Sequence, residues 1–505
     1  MFFNPDVQKA NMLRSKVGPQ LAERVSCNVA WDNYTLDFYS VDASPYSLRP
    51  CAVVFPKGEK DVISILRFAS KNKISVTPRG AGTGLVGGDL GRGIILDMRY
   101  FNKIIVRKGL VEVGSGTFKG ALDKALSEHG RFLGPNPSIG PFCTIGGMIG
   151  TNASGSHSVK YGSIVDNLIS VKIITSKGRV LNLPRDSKRI KNLSWLSNKE
   201  LKGRFPRVSK NSCGYRLEKV ASKSEIHKII AGSEGTLGIV ISAKLKTIPL
   251  PKRKVLMIGS YGSITQAVID VPKIIKLGPS ALEIIDRTIV SHIREGVPKS
   301  AKCLLFIEFD DDVPRKASQA KKVVAGKIIS TTDKPEGIAK WWTYRNTALS
   351  YSLHSVSKNE ILLSSIEDPT VPVHRLPLLL DLISHLKSKY PMKVIIYGHA
   401  GNGNLHIRPI LRKRDAGLIG KISLEFFSGV ISIGGTITGE HGDGISRTRF
   451  VKMQYGSEIH SLFRAIKREF DPTNTLNPGK IISRQGLLAE STILSWFPAA
   501  RPRLR

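Results

Sequence analysis

Two groups of residues in this chain are placed to do chemistry. The first is Thr77-Pro78-Arg79-Gly80-Ala81-Gly82-Thr83-Gly84-Leu85-Val86-Gly87-Gly88, with five glycines in twelve residues. Glycine takes positive φ without a Cβ clash and lets backbone lie close against a ligand. Successive N–H groups in such a loop converge on anionic oxygens, and Arg79 adds fixed charge, so a phosphate is the expected ligand. Gly82 to Gly87 also reads as G-x-G-x-x-G, a dinucleotide fingerprint that requires a helix opening on its last glycine. Here Gly88, Gly91 and Gly93 follow, then the strand-like Ile94-Ile95-Leu96-Asp97-Met98, which disfavours a Rossmann nucleotide site.

The second group lies far along the chain. His399 and His406 flank a glycine-rich turn in Tyr397-Gly398-His399-Ala400-Gly401-Asn402-Gly403-Asn404-Leu405-His406, and Gly439-Glu440-His441-Gly442-Asp443-Gly444 follows. Either histidine alone reads as a satisfied turn residue. With Glu440 they also match a donor set for a divalent metal with open positions, zinc first, manganese or iron also compatible. His441 is a candidate acceptor for a substrate proton, because imidazole titrates near neutral pH, or else a hydrogen-bonding residue beside a cofactor.

The elements that must position these groups follow from periodicity. Ala52-Val53-Val54-Phe55-Pro56 reads as a short strand, Asp61 to Lys71 as a helix, and Ile74-Ser75-Val76 as a strand feeding the glycine loop. The loop therefore sits at a strand's C-terminal end, where α/β folds take ligands. A second ligand-type segment runs from Gly134-Pro135-Asn136-Pro137-Ser138 to Thr144-Ile145-Gly146-Gly147 and Thr151-Asn152-Ala153-Ser154-Gly155. Its hydroxyls, small residues and amide suit a flat heterocycle, and two such loops favour a bulky phosphorylated cofactor. Ser170 to Leu183 reads as a hairpin, and Gly232 to Val240 as a glycine-rich turn entering a strand. Beyond Pro249-Leu250-Pro251, strands near 255–259, 281–285, 303–309, 361–366 and 394–397 alternate with helices near 264–275 and 376–389, an α+β pattern. The expected division is a lead-in segment 1–46, a cofactor domain 47–250, a substrate and metal domain 251–485 and a basic tail 486–505.

The 505 residues carry 76 Lys+Arg against 40 Asp+Glu, a net charge of +36. Such a surface attracts acidic partners, anionic lipid or nucleic acid without specificity. With no nucleic-acid motif and no aromatic interleaving of the basic run 185–210, specific nucleic-acid recognition is not expected. An anionic substrate or acidic redox partner fits instead. Cys27, Cys51, Cys143, Cys213 and Cys303 are scattered without a C-x-x-C pair, which argues against an iron–sulfur cluster or cysteine-rich zinc module within the chain. No apolar run reaches the length of a membrane span, and Met1-Phe2-Phe3-Asn4-Pro5 opens no signal-peptide pattern, so a cytoplasmic protein is expected.

The glycine loop at 77–88, Thr144–Gly147, Thr151–Gly155 with Tyr161-Gly162, and Gly232-Ser233-Glu234-Gly235-Thr236-Leu237-Gly238 together resemble the FAD-binding domain of the vanillyl-alcohol oxidase/p-cresol methylhydroxylase superfamily. Residues 251–485 resemble the FAD-linked oxidase C-terminal domain of its D-lactate dehydrogenase/glycolate oxidase flavoprotein-subunit branch. The markers there are Tyr397–His406, Gly439–Gly444 and Asn477-Pro478-Gly479-Lys480. The resemblance covers about residues 37–485 and implies a two-subdomain FAD-binding domain joined to an α+β substrate domain.

It also implies non-covalent FAD. Pro78, Arg79, Gly80, Ala81, Gly82, Thr83, Gly84 and Gly87 would hold the pyrophosphate. Pro135, Ser138, Thr144, Gly146, Gly147, Asn152, Gly155, Tyr161 and Gly162 would flank the ribityl chain and isoalloxazine. Glu234 and Gly238 would lie near the adenosine half, with Ile239 and Asn477 as further cofactor contacts. His399, His406 and Glu440 match the metal-binding branch, so a divalent metal, zinc foremost, is expected there. Arg345, in Trp341-Trp342-Thr343-Tyr344-Arg345, matches the family's carboxylate-binding arginine.

The implied activity is FAD-dependent oxidation of a D-2-hydroxy acid, with metal-assisted binding and His441 as base. Relatives that oxidise 2-hydroxyglutarate place a lysine where this chain has Ser365-Ile366-Glu367-Asp368, which favours D-lactate or glycolate. Electrons would pass to a separate acceptor, an iron–sulfur subunit or a quinone, with peripheral contact at the inner face of a membrane. The alternatives are a flavin oxidase of a sugar acid or aldonolactone, and a non-catalytic flavoprotein subunit binding an acidic partner.

Overall fold

A computed structural model describes residues 16–482, apart from Asn192 and Arg294. The first five residues and the basic tail 486–505 lie outside the described residues. In the first of three principal sheets, short strands Ala52–Phe55, Ile94–Asp97 and Val76–Arg79 run parallel, and Asn28–Ala30 adds an antiparallel edge. Parallel strands bury both faces, so Ala52–Phe55 and Ile94-Ile95-Leu96 are apolar rather than alternating, whereas Val76–Arg79 turns polar as it enters the glycine loop. On one face Val54, Ile94 and Leu96 pack against Val62, Ile65, Leu66 and Ala69 of helix Glu59–Lys71. That helix carries Glu59 and Asp61 in its first turn and Lys71 in its last, matching its dipole. On the other face Val53 and Ile95 meet Leu36 and Tyr39. The lead-in segment thus supplies an edge strand and the cover of this face.

The second sheet has five antiparallel strands, in the order Ile104–Arg107, Leu110–Gly114, Ile239–Lys246, Leu168–Ile174 and Val180–Leu183. In its central strand Ile239, Ile241, Ala243 and Leu245 point inward while Lys244 and Lys246 are exposed, the period of a half-buried strand. The expected hairpin at 170–183 is the edge of this sheet. Within the second ligand-type segment lies a short helix, Ile145–Thr151. Thr144 Oγ1 accepts from Gly147 N at 3.3 Å at its start, and Asn152 in the left-handed region ends it.

The third sheet has seven antiparallel strands, in the order Lys327–Thr332, Val255–Tyr261, Cys303–Phe309, Ala281–Asp286, Met392–His399, Asn404–Arg412 and Glu360–Leu362. Its side chains alternate between two cores. Val255, Met257, Leu305 and Ile307 face helices Ile264–Ile275 and Leu376–Lys389, whereas Leu256, Ile258, Leu304 and Phe306 face Trp341 and Ala348. The strand expected over 361–366 stops at Leu362. Leu363 N donates to Pro409 O at 2.8 Å, and the chain then leaves the sheet so that Glu367 and Asp368 enter the interior.

After helix Val451–Phe470 the chain returns to the first sheet. Asp471 accepts from Thr475 N at 3.0 Å and Leu476 N at 2.8 Å, which forms the turn, and Leu476 bridges Val76 in parallel. Asn477 then braces the glycine loop. Its Nδ2 donates to Gly88 O at 2.8 Å and Glu234 O at 2.7 Å, and its Oδ1 accepts from Thr77 Oγ1 at 3.1 Å. Lys480 Nζ adds a bond to Leu90 O at 2.9 Å. Asn477 is therefore a strut under the loop and does not line the cavity above it. Replacing Asn477 with Ala leaves two buried carbonyls unpaired, which costs about 1–3 kcal/mol each. The expected outcome is a melting temperature several degrees lower, read by thermal unfolding.

Candidate active site

One cavity of about 370 Å³ opens between the glycine loop, segment 144–154 and the third sheet. Its floor includes Pro78, Arg79, Gly80, Ala81, Gly82, Thr83 and Gly84, and its wall Ser138, Thr144, Gly146, Gly147 and Gly238. The C-terminal half adds Arg345, Tyr397, His406, Arg408, Glu440 and His441. Loop and histidines, more than 300 positions apart in sequence, therefore share one space.

The cavity has the features a bound cofactor would complete. A Cβ built at Gly84 meets no heavy atom closer than Asp89 Oδ1 at 3.8 Å, and one at Gly150 meets Glu234 Cα at 3.8 Å. The protein's own packing does not require glycine at these two cavity-lining positions. Ser115 Oγ lines the same space, buried and without a hydrogen-bond partner. Elsewhere in the loop the requirement is internal. Gly82 and Gly87 have φ of 69° and 72°, and a Cβ at Gly80 would sit 2.2 Å from Thr144 Oγ1.

Several expected cofactor contacts have other partners. The Arg79 guanidinium turns from the cavity centre, donating to Val41 O at 2.7 Å and lying 5.2 Å from the Tyr39 ring centroid. Glu234 borders the cavity, but its carboxylate accepts Asp443 N at 2.6 Å and Gly444 N at 2.9 Å, tying the two halves together. Burial, and then Asp443, push its pKa up to about 8. Asn152 caps Val165 N at 2.9 Å, and Tyr161 bonds Asp310 on the neighbouring domain. Gly155 has its N–H on Glu440, Ile239 is a core strand residue, and Pro135, Gly87 and Gly162 also lie outside the lining. These residues shape the walls from behind, for a reason residue type alone does not reveal: hydroxyls and amides serve backbone as readily as ligands. His157 lies outside the lining too, its Nε2 2.9 Å from Glu308 Oε1 and its ring against Trp342. Cys143 is buried, and burial pushes its thiol up to about 11.

His399, His406 and Glu440 do converge. Glu440 Oε1 lies 2.7 Å from His399 Nε2 and 3.4 Å from His406 Nε2, and the ligand atoms of the three all lie within 4.8 Å of one another. Antiparallel pairing of Met392–His399 with Asn404–Arg412 brings both histidines to one end of the sheet, across the tight turn at Gly403 (φ 71°). Burial opposes ionisation of Glu440, but His399 and Lys210 outweigh it and hold the carboxyl well below the usual range. His399 Nδ1 bonds Glu283 Oε1 at 2.8 Å, the outer carboxylate that commonly orients a metal-binding imidazole. His406 Nδ1 is buried without a hydrogen-bond partner, 3.6 Å from Glu367 Oε2. With Nε2 atoms and a carboxylate oxygen clustered, the donor set fits a divalent cation.

His441 stacks on His406 with centroids 4.9 Å apart, and its Nδ1 bonds Glu367 Oε1 at 2.7 Å. Burial pulls its pKa down, but Glu367, Asp368 and Glu440 outweigh that and push it up to about 9 in the absence of a cation. A divalent charge alongside acts in the opposite direction. Asp368 Oδ2 accepts the backbone N–H groups of Gly439, Glu440 and His441 at 3.1, 2.9 and 2.8 Å, fixing the loop that carries Glu440 and His441. Glu367 and Asp368 are fully buried and neither lines the cavity, so this segment lacks a cation for a second carboxylate rather than presenting repulsive charge.

Arg345 lines the cavity, yet its Nε and Nη2 are bound to Glu283 Oε2 at 2.7 and 2.6 Å. That edge of the guanidinium is unavailable for the bidentate substrate contact expected of it. Arg408, a second guanidinium from the same half, is absent from the sequence reading. So are Lys210 and Glu283 as site residues, and Asp368 enters it only within the segment where relatives place a lysine. A signal existed for Glu283, an acid in the middle of the buried apolar run of strand Ala281–Asp286.

Two families match this chain. The FAD binding domain matches residues 50–184, and the C-terminal domain of FAD linked oxidases matches residues 250–481. The glycolate oxidase subunit GlcD of Bacillus subtilis is 31% identical over 88% of this chain and 92% of its own length. A D-2-hydroxyglutarate dehydrogenase of Escherichia coli is 29% identical over 89% of this chain but only 50% of itself. A D-lactate dehydrogenase of Anaerostipes hadrus is 27% identical over 92% of this chain and 98% of itself. Among solved structures, alkyldihydroxyacetonephosphate synthase superposes with a TM-score of 0.64 at 19% identity, covering 90% of this chain and 83% of that one, a likeness of fold.

The glycine geometry gives a direct test of occupancy. Gly84→Ala has room within the protein itself and should leave the melting temperature of the flavin-free chain within about 1 °C, since an Ala that fits costs little. FAD affinity should fall by about tenfold or more, read by quenching of flavin fluorescence, because the added methyl occupies the ligand's space.

Proposed function

This chain belongs to the FAD-linked oxidases, and from that membership we propose that it oxidises a D-2-hydroxy acid, D-lactate or glycolate, to the 2-oxo acid. The observation carrying the proposal is that His406, Glu440 and His441 line the cavity floored by the glycine loop, with His399 beside them, 2.7 Å from Glu440 Oε1. FAD, when bound, supplies the two-electron acceptor that side chains lack. A divalent metal on His399, His406 and Glu440 would lower the pKa of a coordinated hydroxyl and fix its orientation.

The chain's own groups do the rest. Arg345 and Arg408 set positive charge in the cavity for the substrate carboxylate. His441, with Nδ1 held by Glu367, directs Nε2 as the base for the hydroxyl proton, and Arg447, 2.6 Å from the same Glu367 oxygen, restrains that carboxylate. Leu349 gives the cavity an apolar side suited to a small substituent, and no lysine lines it among the described residues. These features favour D-lactate or glycolate over a dicarboxylate.

The acceptor is proposed to be a separate component, an iron–sulfur subunit or a quinone, in keeping with a relative named as a subunit. No helix among the described residues is long and apolar enough to cross a membrane. Peripheral contact of a cytoplasmic protein through its excess of basic residues is part of the proposal.

Anaerobic visible spectra of the metal-replete protein test this reading. D-lactate or glycolate should bleach the flavin while L-lactate does not, and D-2-hydroxyglutarate should act more slowly. A chelator should abolish bleaching, and zinc or manganese should restore it. Bleaching that resists chelation would favour an aldonolactone or sugar-acid oxidase, and a flavin that no substrate reduces would favour a non-catalytic subunit. His441→Gln should lower the reduction rate about 10²- to 10⁴-fold, the usual worth of a general base. Flavin and metal content should be unchanged, measured by absorbance and elemental analysis.

A further inference from the structure

Glu440 offers its two oxygens to different halves of the protein. Oε1 faces His399 and His406, both from the third sheet. Oε2 accepts from Lys210 Nζ at 2.9 Å, Ser154 Oγ at 2.5 Å and Gly155 N at 2.9 Å, all from the half that carries the glycine loop. Two of these donors are neutral. Lys210 alone brings a full charge, on a side chain only 1% exposed, and its other hydrogen bond is a long one of 3.4 Å to Asn404 Oδ1. A buried ammonium on the back of a carboxylate whose front faces two imidazoles calls for a role beyond packing.

We propose that Lys210 is a positioning residue of the metal centre: from the far oxygen it aims Glu440 to donate through Oε1 and tempers the charge that carboxylate offers a divalent ion. The inference rests on the reading of His399, His406 and Glu440 as metal ligands. Lys210 then acts with two opposite signs. Hydrogen bonds that hold a ligand in place strengthen a site, and losing one weakens metal binding about 10- to 100-fold. A unit positive charge on the ligand itself repels a divalent cation, and in a buried site this outweighs one hydrogen bond. A carboxylate partly neutralised from behind donates less to the ion, which stays more electron-poor toward substrate oxygens. Lys210 thereby lowers cation affinity in favour of Lewis acidity, whereas Ser154, on the same oxygen, only aims.

The two residues make the test one of sign. FAD-loaded, chelator-treated full-length protein is titrated with Zn²⁺ and Co²⁺ against a chromophoric chelator, alongside melting curves with and without the ion. Lys210→Met should bind either ion about tenfold or more tightly, with a larger metal-induced rise in melting temperature than wild type. Ser154→Ala should bind more weakly, by up to about tenfold. Lys210→Arg, which keeps the charge, should stay near wild type. Flavin absorbance reports folding of each variant, and Lys210→Gln replaces Lys210→Met if the latter loses its flavin. Weaker or unchanged binding in the neutral Lys210 variants would reduce Lys210 to a strut and overturn the proposal. Failure of the wild-type protein to bind either ion is a different result, and it removes the metal reading together with this inference.

Discussion

The structure depends on one buried carboxylate that both halves of the chain must share. Glu440 takes Lys210, Ser154 and Gly155 from one half on one oxygen, and His399 and His406 from the other half on the second. A buried charge without partners is heavily penalised, and breaking such a pair from one side costs about 3–5 kcal/mol. The two halves therefore meet in the one register that pairs it. Glu234 repeats the device nearby, reaching from the glycine-loop half to cap Asp443 N and Gly444 N on the loop that carries Glu440. The seam between the halves is held by hydrogen-bonded carboxylates, and the site is built on that seam.

Around Glu440 the charges are arranged so that each acid has a cation or a cluster of N–H groups. Glu283 pairs with Arg345 and orients His399; Glu367 pairs with Arg447 and Arg408 and orients His441; Asp368 gathers three backbone N–H groups. His399 and His441 thus each have Nδ1 held by a carboxylate, and Glu440 has one oxygen on Lys210, Ser154 and Gly155 and the other on the histidines. Such outer contacts determine tautomer and direction, which the ligating residues cannot set alone. They stabilise little in net terms, since desolvation offsets most of the attraction, but they define a single geometry.

The glycines divide in the same way between internal and external causes. Gly80, Gly82 and Gly87 are required by the loop's own packing and φ angles, whereas Gly84 and Gly150 border open space. Beneath the loop, the return of the chain through Asp471–Lys480 places Asn477 and Lys480 on the loop's carbonyls. This stretch thereby secures a loop some 400 positions earlier, so the glycine loop is fully braced only when the C-terminal half has folded.

Much of this was legible in the residues themselves. Helical spacing read from Asp61 to Lys71 and from Leu376 to Lys389 matches the observed helices, the hairpin read over 170–183 matches the sheet edge, and the residues after Gly88 disfavoured a Rossmann turn, because hydrophobic period and glycine chemistry are local properties. The convergence of His399, His406 and Glu440 was expected from their match to the metal-binding branch of the family, and the three do meet. The direction of each polar side chain was not legible. Arg345 was expected to meet substrate with a fork that Glu283 already holds, Asn152, Tyr161 and Asn477 were expected to face the cavity and instead brace its walls, and Lys210 carried no signal of its place behind Glu440. Sequence by itself determined which residue types were available and which local elements would carry them. Which buried donor met which acceptor was decided only by tertiary structure, because that choice belongs to pairs of residues up to hundreds of positions apart, brought within 3 Å by the packing of two separately built halves.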